Sequence, residues 1–205
     1  MNRRAAFALM ACAFAAPVAS AAQSMGGVSY SWSLPTGDLH NFIDNDSWVG
    51  FSLEGRKFVQ PNMSVGIFLA WNEFYENTNE LIDLGNVQIS GDQYRNLNAF
   101  PLMLSGHFYT GQAGDPRFYV GLNAGAYYMR QLMDIGVFTF ETDNWHAGVA
   151  PEVGVMFPAR RGTNVLLRAI WHYPFSSGEY LAGEARSFQY LSVGVAFMQS
   201  KGRGY

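Results

Sequence analysis

The chain of 205 residues has a formal net charge of -3, with 14% charged residues, 16% aromatic residues and 22 glycines. Charged residues usually make up about a quarter of a soluble domain, so this composition is unusual for a protein surrounded by water. The chain also has no basic patch, which excludes nucleic acid as a partner.

The N-terminus has the three parts of a secretory signal peptide. Residues 2–4 include two arginines, residues 5–16 form an apolar run, and residues 19–22 are small enough for a cleavage site. We predict that residues 1–22 are removed and that residues 23–205 form one domain. One alternative is a lipoprotein signal ending at Cys12. A membrane anchor is the other, but a span needs about 20 apolar residues.

The cysteine count limits the chemistry of the mature chain. Cys12 is the only cysteine, so cleavage after residue 22 would leave no disulfide, thiol nucleophile or zinc-thiolate site. No second window of 18 apolar residues follows, which excludes a helical membrane protein.

Eight segments alternate apolar with small or polar residues at a period of two, which is typical of β-strands. The hairpin at 48–72 is the clearest, with Val49, Phe51 and Leu53 on one face of its first arm. The fourth segment is the least regular, since Pro101 removes a ladder donor. No segment has a convincing amphipathic helical period. The predicted strands are residues 27–34, 48–58, 63–72, 94–109, 118–129, 145–157, 165–173 and 188–197.

The connections between these segments alternate in length. Short turns are predicted at 59–62, 110–116 and 158–163. Long loops are predicted at 35–46, 77–93, 130–143 and 174–185. Short turns at one end and long loops at the other are typical of an up-and-down outer-membrane barrel.

Charge follows the same division. The basic side chains Lys57, Arg117, Arg160, Arg161, Lys201 and Arg203 gather at the short-turn end. The acidic side chains at the long-loop end are Asp38, Asp44, Asp46, Glu73, Glu76, Glu80, Asp83, Asp92, Asp134, Glu141, Asp143, Glu179 and Glu184. We therefore expect an acidic surface at the long-loop end.

The composition of the two strand faces indicates which face is inside. In a soluble barrel the glycine-rich faces would form the wetted surface, with very few charges. In a membrane barrel the assignment is reversed: valine, leucine and phenylalanine face lipid, and small and polar residues fill a narrow lumen. The sequence therefore predicts an all-β, eight-stranded antiparallel up-and-down transmembrane β-barrel.

Two groups of residues follow from this prediction. Charges facing lipid are costly, so the strand charges Glu54, Arg56, Glu152 and Arg168 should lie in the lumen and form a structural ion-pair network, with an ion path or binding site as the alternative. The aromatic girdle at the long-loop end is predicted to contain Trp32, Trp48, Trp71, Tyr128, Trp145, Trp171 and Tyr173.

The hairpin at 48–72, the strand at 118–127 and the closing strand at 190–197 resemble the small eight-stranded outer-membrane β-barrels of the OmpX and OmpA transmembrane-domain type. The resemblance covers about residues 26–197. It implies an integral outer-membrane monomer, surrounded by lipid and lipopolysaccharide and inserted by the barrel-assembly machinery. Eight residues follow Phe197, so either Phe197 or Tyr205 would be the assembly signal. The resemblance does not extend to the peptidoglycan-binding domain of OmpA-like proteins, so we expect no wall-anchoring role.

The resemblance is also compatible with an outer-membrane lipid A enzyme. In this chain, His172 is the only plausible base for such an enzyme. The chain lacks their close His-x-Ser arrangement, and we expect a lumen histidine paired with Glu152 or a loop carbonyl. No phosphate loop or convincing metal-ligand pair exists, so we expect no cofactor, metal or catalytic residue. Our first hypothesis is a non-enzymatic barrel with a structural or adhesive role through acidic loops. The alternatives are a lipid A-modifying hydrolase and a soluble periplasmic lipocalin-like binding barrel.

Overall fold

The computed structural model describes residues 23–78, 81–83, 88–90, 93–135, 138–159, 162–176 and 187–201. The predicted signal peptide and Tyr205 lie outside these ranges. One short helix, α1, spans Asp38–Phe42. The strands are β1 Ser24–Gly37, β2 Val49–Gln60, β3 Met63–Thr78, β4 Leu81–Asp83, β5 Gln88–Ser90, β6 Gln93–Tyr109, β7 Arg117–Ile135, β8 Phe138–Pro158, β9 Thr163–Pro174 and β10 Phe188–Lys201.

Eight of these strands close into a barrel. Their order around it is β1-β10-β9-β8-β7-β6-β3-β2, and every pairing is antiparallel. The barrel closes where β1 pairs with β10, from Ser24 opposite Lys201 to Gly37 opposite Phe188. The predicted eight-stranded antiparallel up-and-down barrel is confirmed.

The outer and inner faces of the barrel have opposite chemistry. Large apolar side chains point outward, among them Phe51, Leu53 and Leu104, of which Leu104 is 72% exposed. The inward positions include Glu54, at 8%, and Arg56, at 2%. Val49, Phe51 and Leu53 therefore share the outer face of β2, as the membrane interpretation requires.

The structure differs from the sequence prediction at the loop end, where the long connections lie. The predicted loop at 130–143 is mostly strand, because β7 continues to Ile135 and β8 begins at Phe138. The predicted loop at 77–93 contains the β4–β5 pair. These strand ends are less apolar than the rest of the barrel, which weakens the alternating signal.

The helix α1 was not predicted. Five residues are too short to display a helical period, and burial of Leu39 and Phe42 holds this turn in place. No helix in the described ranges is long and apolar enough to cross a membrane.

Candidate functional site

Four charged side chains meet in the centre of the barrel, and together they form the lumen network: Glu54, Arg56, Glu152 and Arg168. Glu54 and Arg56 are two residues apart on β2, so the pleat turns both inward. Glu152 lies on β8 and Arg168 on β9. The sequence placed all four on the polar face, and closure of the barrel brings them into one cluster.

The two arginines alternate with the two glutamates. Arg56 Nη2 lies 3.0 Å from Glu54 Oε2 and 2.9 Å from Glu152 Oε1. Arg168 Nη1 lies 3.0 Å from Glu54 Oε2 and 3.6 Å from Glu152 Oε1. Each charge therefore has two partners of opposite sign, which offsets the cost of removing it from water.

Uncharged donors complete the coordination of Glu152. The Tyr119 hydroxyl donates to Glu152 Oε1 at 2.7 Å, and Asn123 Nδ2 donates to Oε2 at 3.2 Å. His107 Nε2 lies 3.5 Å from the same Oε2. These uncharged partners hold the carboxylate from two strands, β6 and β7.

The arginines are held in the same way. Arg56 Nη1 donates to the Tyr109 hydroxyl at 2.9 Å. Arg168 Nη2 donates to Ser29 Oγ at 2.7 Å and Ser52 Oγ at 2.9 Å. Sequence reasoning missed these uncharged members. The sequence indicates only that these uncharged side chains point into the lumen, and many other residues on the strands point inward too.

His172 lies inside the barrel but beside the lumen network. Its Nδ1 is 3.2 Å from the Tyr127 hydroxyl, and its ring stacks on Tyr190 with centroids 4.3 Å apart. Tyr127, rather than the expected Glu152, stands at hydrogen-bonding distance from it. Only 1% of the residue is exposed, so a substrate outside the barrel does not reach the imidazole. Most of the loop that follows His172 in the sequence, including Ser177 and Glu179, lies outside the described residues.

The loop end of the barrel is closed by α1. Leu39 and Ile43 are fully buried, and the Phe42 ring stacks on Phe188 with centroids 5.5 Å apart. Arg95 Nη1 donates to the Phe42 carbonyl at 3.1 Å, and the Ser187 amide donates to Asp38 Oδ2 at 3.1 Å. The first long connection thus folds back as an apolar plug.

Arg117 closes the opposite end, where the short turns lie. The sequence placed this residue among the basic groups there, and its side chain turns inward with 3% exposed. Its Nη2 donates to the Pro61 carbonyl at 2.8 Å, and its guanidinium lies 4.9 Å from the Tyr109 ring centroid. Between the two closures, a cavity beside Arg168 and His172 has a volume of about 10 Å³, which is about the smallest that can hold one water molecule.

Aromatic side chains form a continuous row on the outer surface near the loop end. Trp71 stacks on Phe100, Phe100 contacts Tyr128, and Tyr128 contacts Trp145, with centroids 6.3, 6.0 and 5.3 Å apart. The sequence prediction omitted Phe100. The other predicted girdle residues also lie at this level: Trp32 stacked on Trp48, and Trp171 and Tyr173 exposed on β9.

Four strands extend above the rest of the barrel as a projecting sheet, formed by the loop-end segments of β3, β6, β7 and β8. Gln93 pairs with Thr78 on one side and Ile135 on the other, and Ile135 pairs with Phe138. Glu141 and Asp143 are exposed on β8.

A hydrogen bond from Arg130 to Glu141 spans 2.5 Å and lowers the pKa of that carboxyl.

Some of the predicted charged residues lie outside the described residues. They are the acidic residues Glu80, Asp92, Glu179 and Glu184 and the basic residues Arg160, Arg161 and Arg203.

The described residues include no group of three or more His, Cys, Asp or Glu side chains that could hold a metal ion. Each carboxylate and each guanidinium of the lumen network pairs with two groups of opposite charge, and Glu54 Oε1 has no hydrogen-bond partner among the described residues. This arrangement links β2, β8 and β9 through buried ion pairs.

Solved structures of other proteins share this fold, including the following two. Neisserial surface protein A aligns with a TM-score of 0.51 and 6% identity over 88% of this chain and 97% of its own. A major outer membrane protein from Thermus thermophilus aligns with a TM-score of 0.52 and 9% identity over 87% of this chain and 99% of its own. The predicted resemblance to small outer-membrane barrels is confirmed at the level of the fold. No protein-family model matches the sequence, and no curated protein matches it.

Proposed function

We propose that this chain is a non-enzymatic integral protein of the bacterial outer membrane, with a structural or surface-interaction role at its acidic loop end. The observation that carries the proposal is the inverted distribution of polarity. Leu53 and Leu104 are 58% and 72% exposed, whereas Glu54 and Arg56 are buried in the lumen. Such a barrel is stable when its outer face meets hydrocarbon, since closure leaves no backbone edge for lipid to meet.

The orientation follows from the ends of the barrel. Outer-membrane barrels place short turns in the periplasm and longer connections outside. The turn end then faces the periplasm, and the projecting sheet with Glu141 and Asp143 faces outward. The surroundings are outer-membrane lipid and lipopolysaccharide, insertion uses the barrel-assembly machinery, and the chain acts as a monomer.

The lumen supports a structural role rather than conduction. The apolar plug of α1 lies at the loop end of the lumen, and Arg117 lies at the turn end. Between them, each charge of the lumen network is paired with a charge of opposite sign. Eight-stranded barrels have an interior just wide enough to be filled by side chains.

The geometry gives less support to the two other functions. A lipid A hydrolase needs a base at the rim, and His172 is sequestered between Tyr127 and Tyr190. A lipocalin-like binder needs a wetted outer surface and an apolar interior, and the faces here are reversed. The similar proteins are named as a surface protein and an outer membrane protein, which agrees with the proposed location.

Single-cysteine labelling tests the location and the orientation together. Cys12 lies in the predicted leader, so Phe140→Cys and Asp115→Cys would each leave one thiol in the mature chain. A membrane-impermeant maleimide should label Phe140→Cys on intact Gram-negative cells and Asp115→Cys only after the outer membrane is opened. Recovery of the protein in the aqueous fraction, or the reverse labelling, would contradict the proposal.

A second measurement separates the surface-interaction role from a purely structural one. Replacing Asp134, Glu141 and Asp143 with Asn, Gln and Asn removes three acidic groups from the projecting sheet. If the acidic end binds partners, expressing cells should lose retention on a cationic surface and keep the same amount of folded barrel. Unchanged retention would favour the structural role.

A further inference from the structure

The two lysines of the chain lie side by side on the outer surface. The sequence contains only Lys57 and Lys201, and both pair with Ser24, one from each neighbouring strand. Residues directly opposite in an antiparallel sheet share a face, and two strand spacings place the Cα atoms roughly 10 Å apart. Both side chains are exposed at the turn end.

Neither ammonium group has an acidic partner in the part of the chain that the structure describes. The ion pairs between described residues join carboxylates to arginines or to a histidine, and none of them includes Lys57 or Lys201. Two unpaired cations converging at the edge of an apolar surface form a position that suits a phosphate group.

Directly above Lys57 and Ser24 the surface is shallow. Gly26 and Gly55 lie opposite each other in the next outward-facing row. Packing does not require glycine at Gly55, because a Cβ atom there would meet nothing within 4 Å. By contrast, a Cβ atom at Gly66 would lie 2.1 Å from a backbone oxygen. The missing side chain at Gly55 therefore leaves open space on the outer surface.

An apolar groove continues from this space toward the aromatic row. Its lower part, about 230 Å³, is lined by Gly55, Leu53, Ile67 and Leu69. Its upper part, about 490 Å³, shares Leu53 and Leu69 and reaches Trp71. Two adjoining apolar depressions that begin one row above two cations match an acyl chain joined to an anionic headgroup.

The geometry points to a binding site for one anionic phospholipid on the outer face of β10, β1, β2 and β3. The phosphate lies between Lys57 and Lys201, the glycerol passes over Gly26 and Gly55, and one acyl chain fills the groove beside Leu53. This inference rests on the proposed function, since it requires this face to lie in the membrane with the turn end toward the phospholipid of the inner leaflet.

Native mass spectrometry of the full chain in detergent micelles tests the site. Each sample is titrated with dioleoylphosphatidylglycerol or with dioleoylphosphatidylcholine, which has the same acyl chains and no net charge. We expect preferential retention of the anionic lipid. Each lysine near an anionic headgroup contributes roughly fivefold in affinity, so Lys57→Gln with Lys201→Gln should weaken retention about 25-fold. The double variant Lys57→Arg with Lys201→Arg keeps both positive charges and should retain the anionic lipid as well as the wild type does.

A matched pair of glycine variants tests the groove. Gly55→Leu would fill the groove, whereas Gly106→Leu adds the same side chain on β6, where a Cβ atom also meets nothing within 4 Å. Only Gly55→Leu should reduce lipid retention. Equal effects of the two variants, or equal retention of both lipids by the wild type, would overturn the site. A dimer that Gly55→Leu dissociates would also overturn it, by assigning the groove to a second copy.

Incorporation into phosphatidylcholine vesicles and heat-modifiable migration are measured first for every variant. A wild-type chain that stays in the aqueous phase contradicts the proposed function itself. A chain that inserts normally but shows no anionic preference contradicts the lipid site alone.

Discussion

Arg56 and Glu152 lie on opposite sides of the barrel, four strands apart in either direction, and their side chains meet with Nη2 2.9 Å from Oε1. Both side chains are fully buried. This ion pair spans the lumen and links walls that share no backbone hydrogen bond. The pair therefore links β2 and β8 across the lumen, in addition to the hydrogen bonds between neighbouring strands.

Removing one partner of this pair should be strongly destabilising. Glu152→Ala leaves Arg56 with a single carboxylate and should lower the free energy of unfolding by about 3 to 5 kcal/mol. Urea unfolding of the protein in lipid vesicles, followed by tryptophan fluorescence, measures this loss. Glu141→Ala, which removes the partner of Arg130 on the exposed projecting sheet, is the control and should cost much less. Similar losses for both variants would refute the bracing role.

Replacing both partners together should cost less than the sum of the single changes. Arg56→Met with Glu152→Leu leaves no uncompensated charge between this pair, and we expect a coupling energy of at least about 1 kcal/mol. The same unfolding measurement on the four members of the cycle determines the coupling. Strict additivity would show that the two residues act independently.

An arginine on the outer face should disrupt insertion according to its depth. Leu104 lies between Phe100 and Phe108 on the outward face of β6, near the middle of the proposed membrane span. Leu104→Arg should lower stability in vesicles by about 2 to 4 kcal/mol. Phe138→Arg, at a position on the projecting sheet that is 62% exposed against 72% for Leu104, should have little effect. Equal tolerance at both positions would contradict a lipid-facing surface at Leu104.

The contact between Arg130 and Glu141 should depend on pH. The hydrogen bond lowers the pKa of Glu141, so the contact stabilises the folded projecting sheet above the unfolded pKa of glutamate, about 4.3. That contribution disappears as the pH falls through the lower folded value. Carbon NMR titration of the side-chain carboxyl in micelles should give a midpoint below the ordinary value. Arg130→Gln should return the midpoint toward it, and an unshifted wild-type midpoint would exclude the contact.

Phe42 should stabilise the helical turn of α1, which forms the apolar plug. Phe42→Ala removes the stacking on Phe188 and should increase amide exchange at Ile43, whose N–H donates to the Leu39 carbonyl at 2.7 Å. Exchange in the β1–β10 ladder should stay unchanged and serves as the internal control. Ile43 protection equal to that of the wild type would mean that Phe42 does not anchor the plug.

Much of the fold could be predicted from local pattern. Alternation along β2 correctly separated the outward Phe51 and Leu53 from the inward Glu54 and Arg56, because the pleat of a strand has a period of two. The ends of the strands were harder to predict, since the projecting sheet above the proposed membrane is less apolar. The predicted loop at 130–143 was wrong for this reason.

The partners within the lumen could not be predicted in the same way. Tyr119 and His107 contact Glu152 because the stagger of neighbouring strands brings their inward positions to one level. That stagger is a property of the closed sheet and leaves no local mark in the sequence.

The sequence by itself thus determined the number of barrel strands, the chemistry of their two faces and the separation of short turns from longer connections. Each of these depends on neighbouring residues along the chain. Only the tertiary structure decided that Arg56 reaches Glu152, that α1 closes the loop end and that Lys57 lies beside Lys201. These contacts depend on closure and register, which join residues up to 177 positions apart.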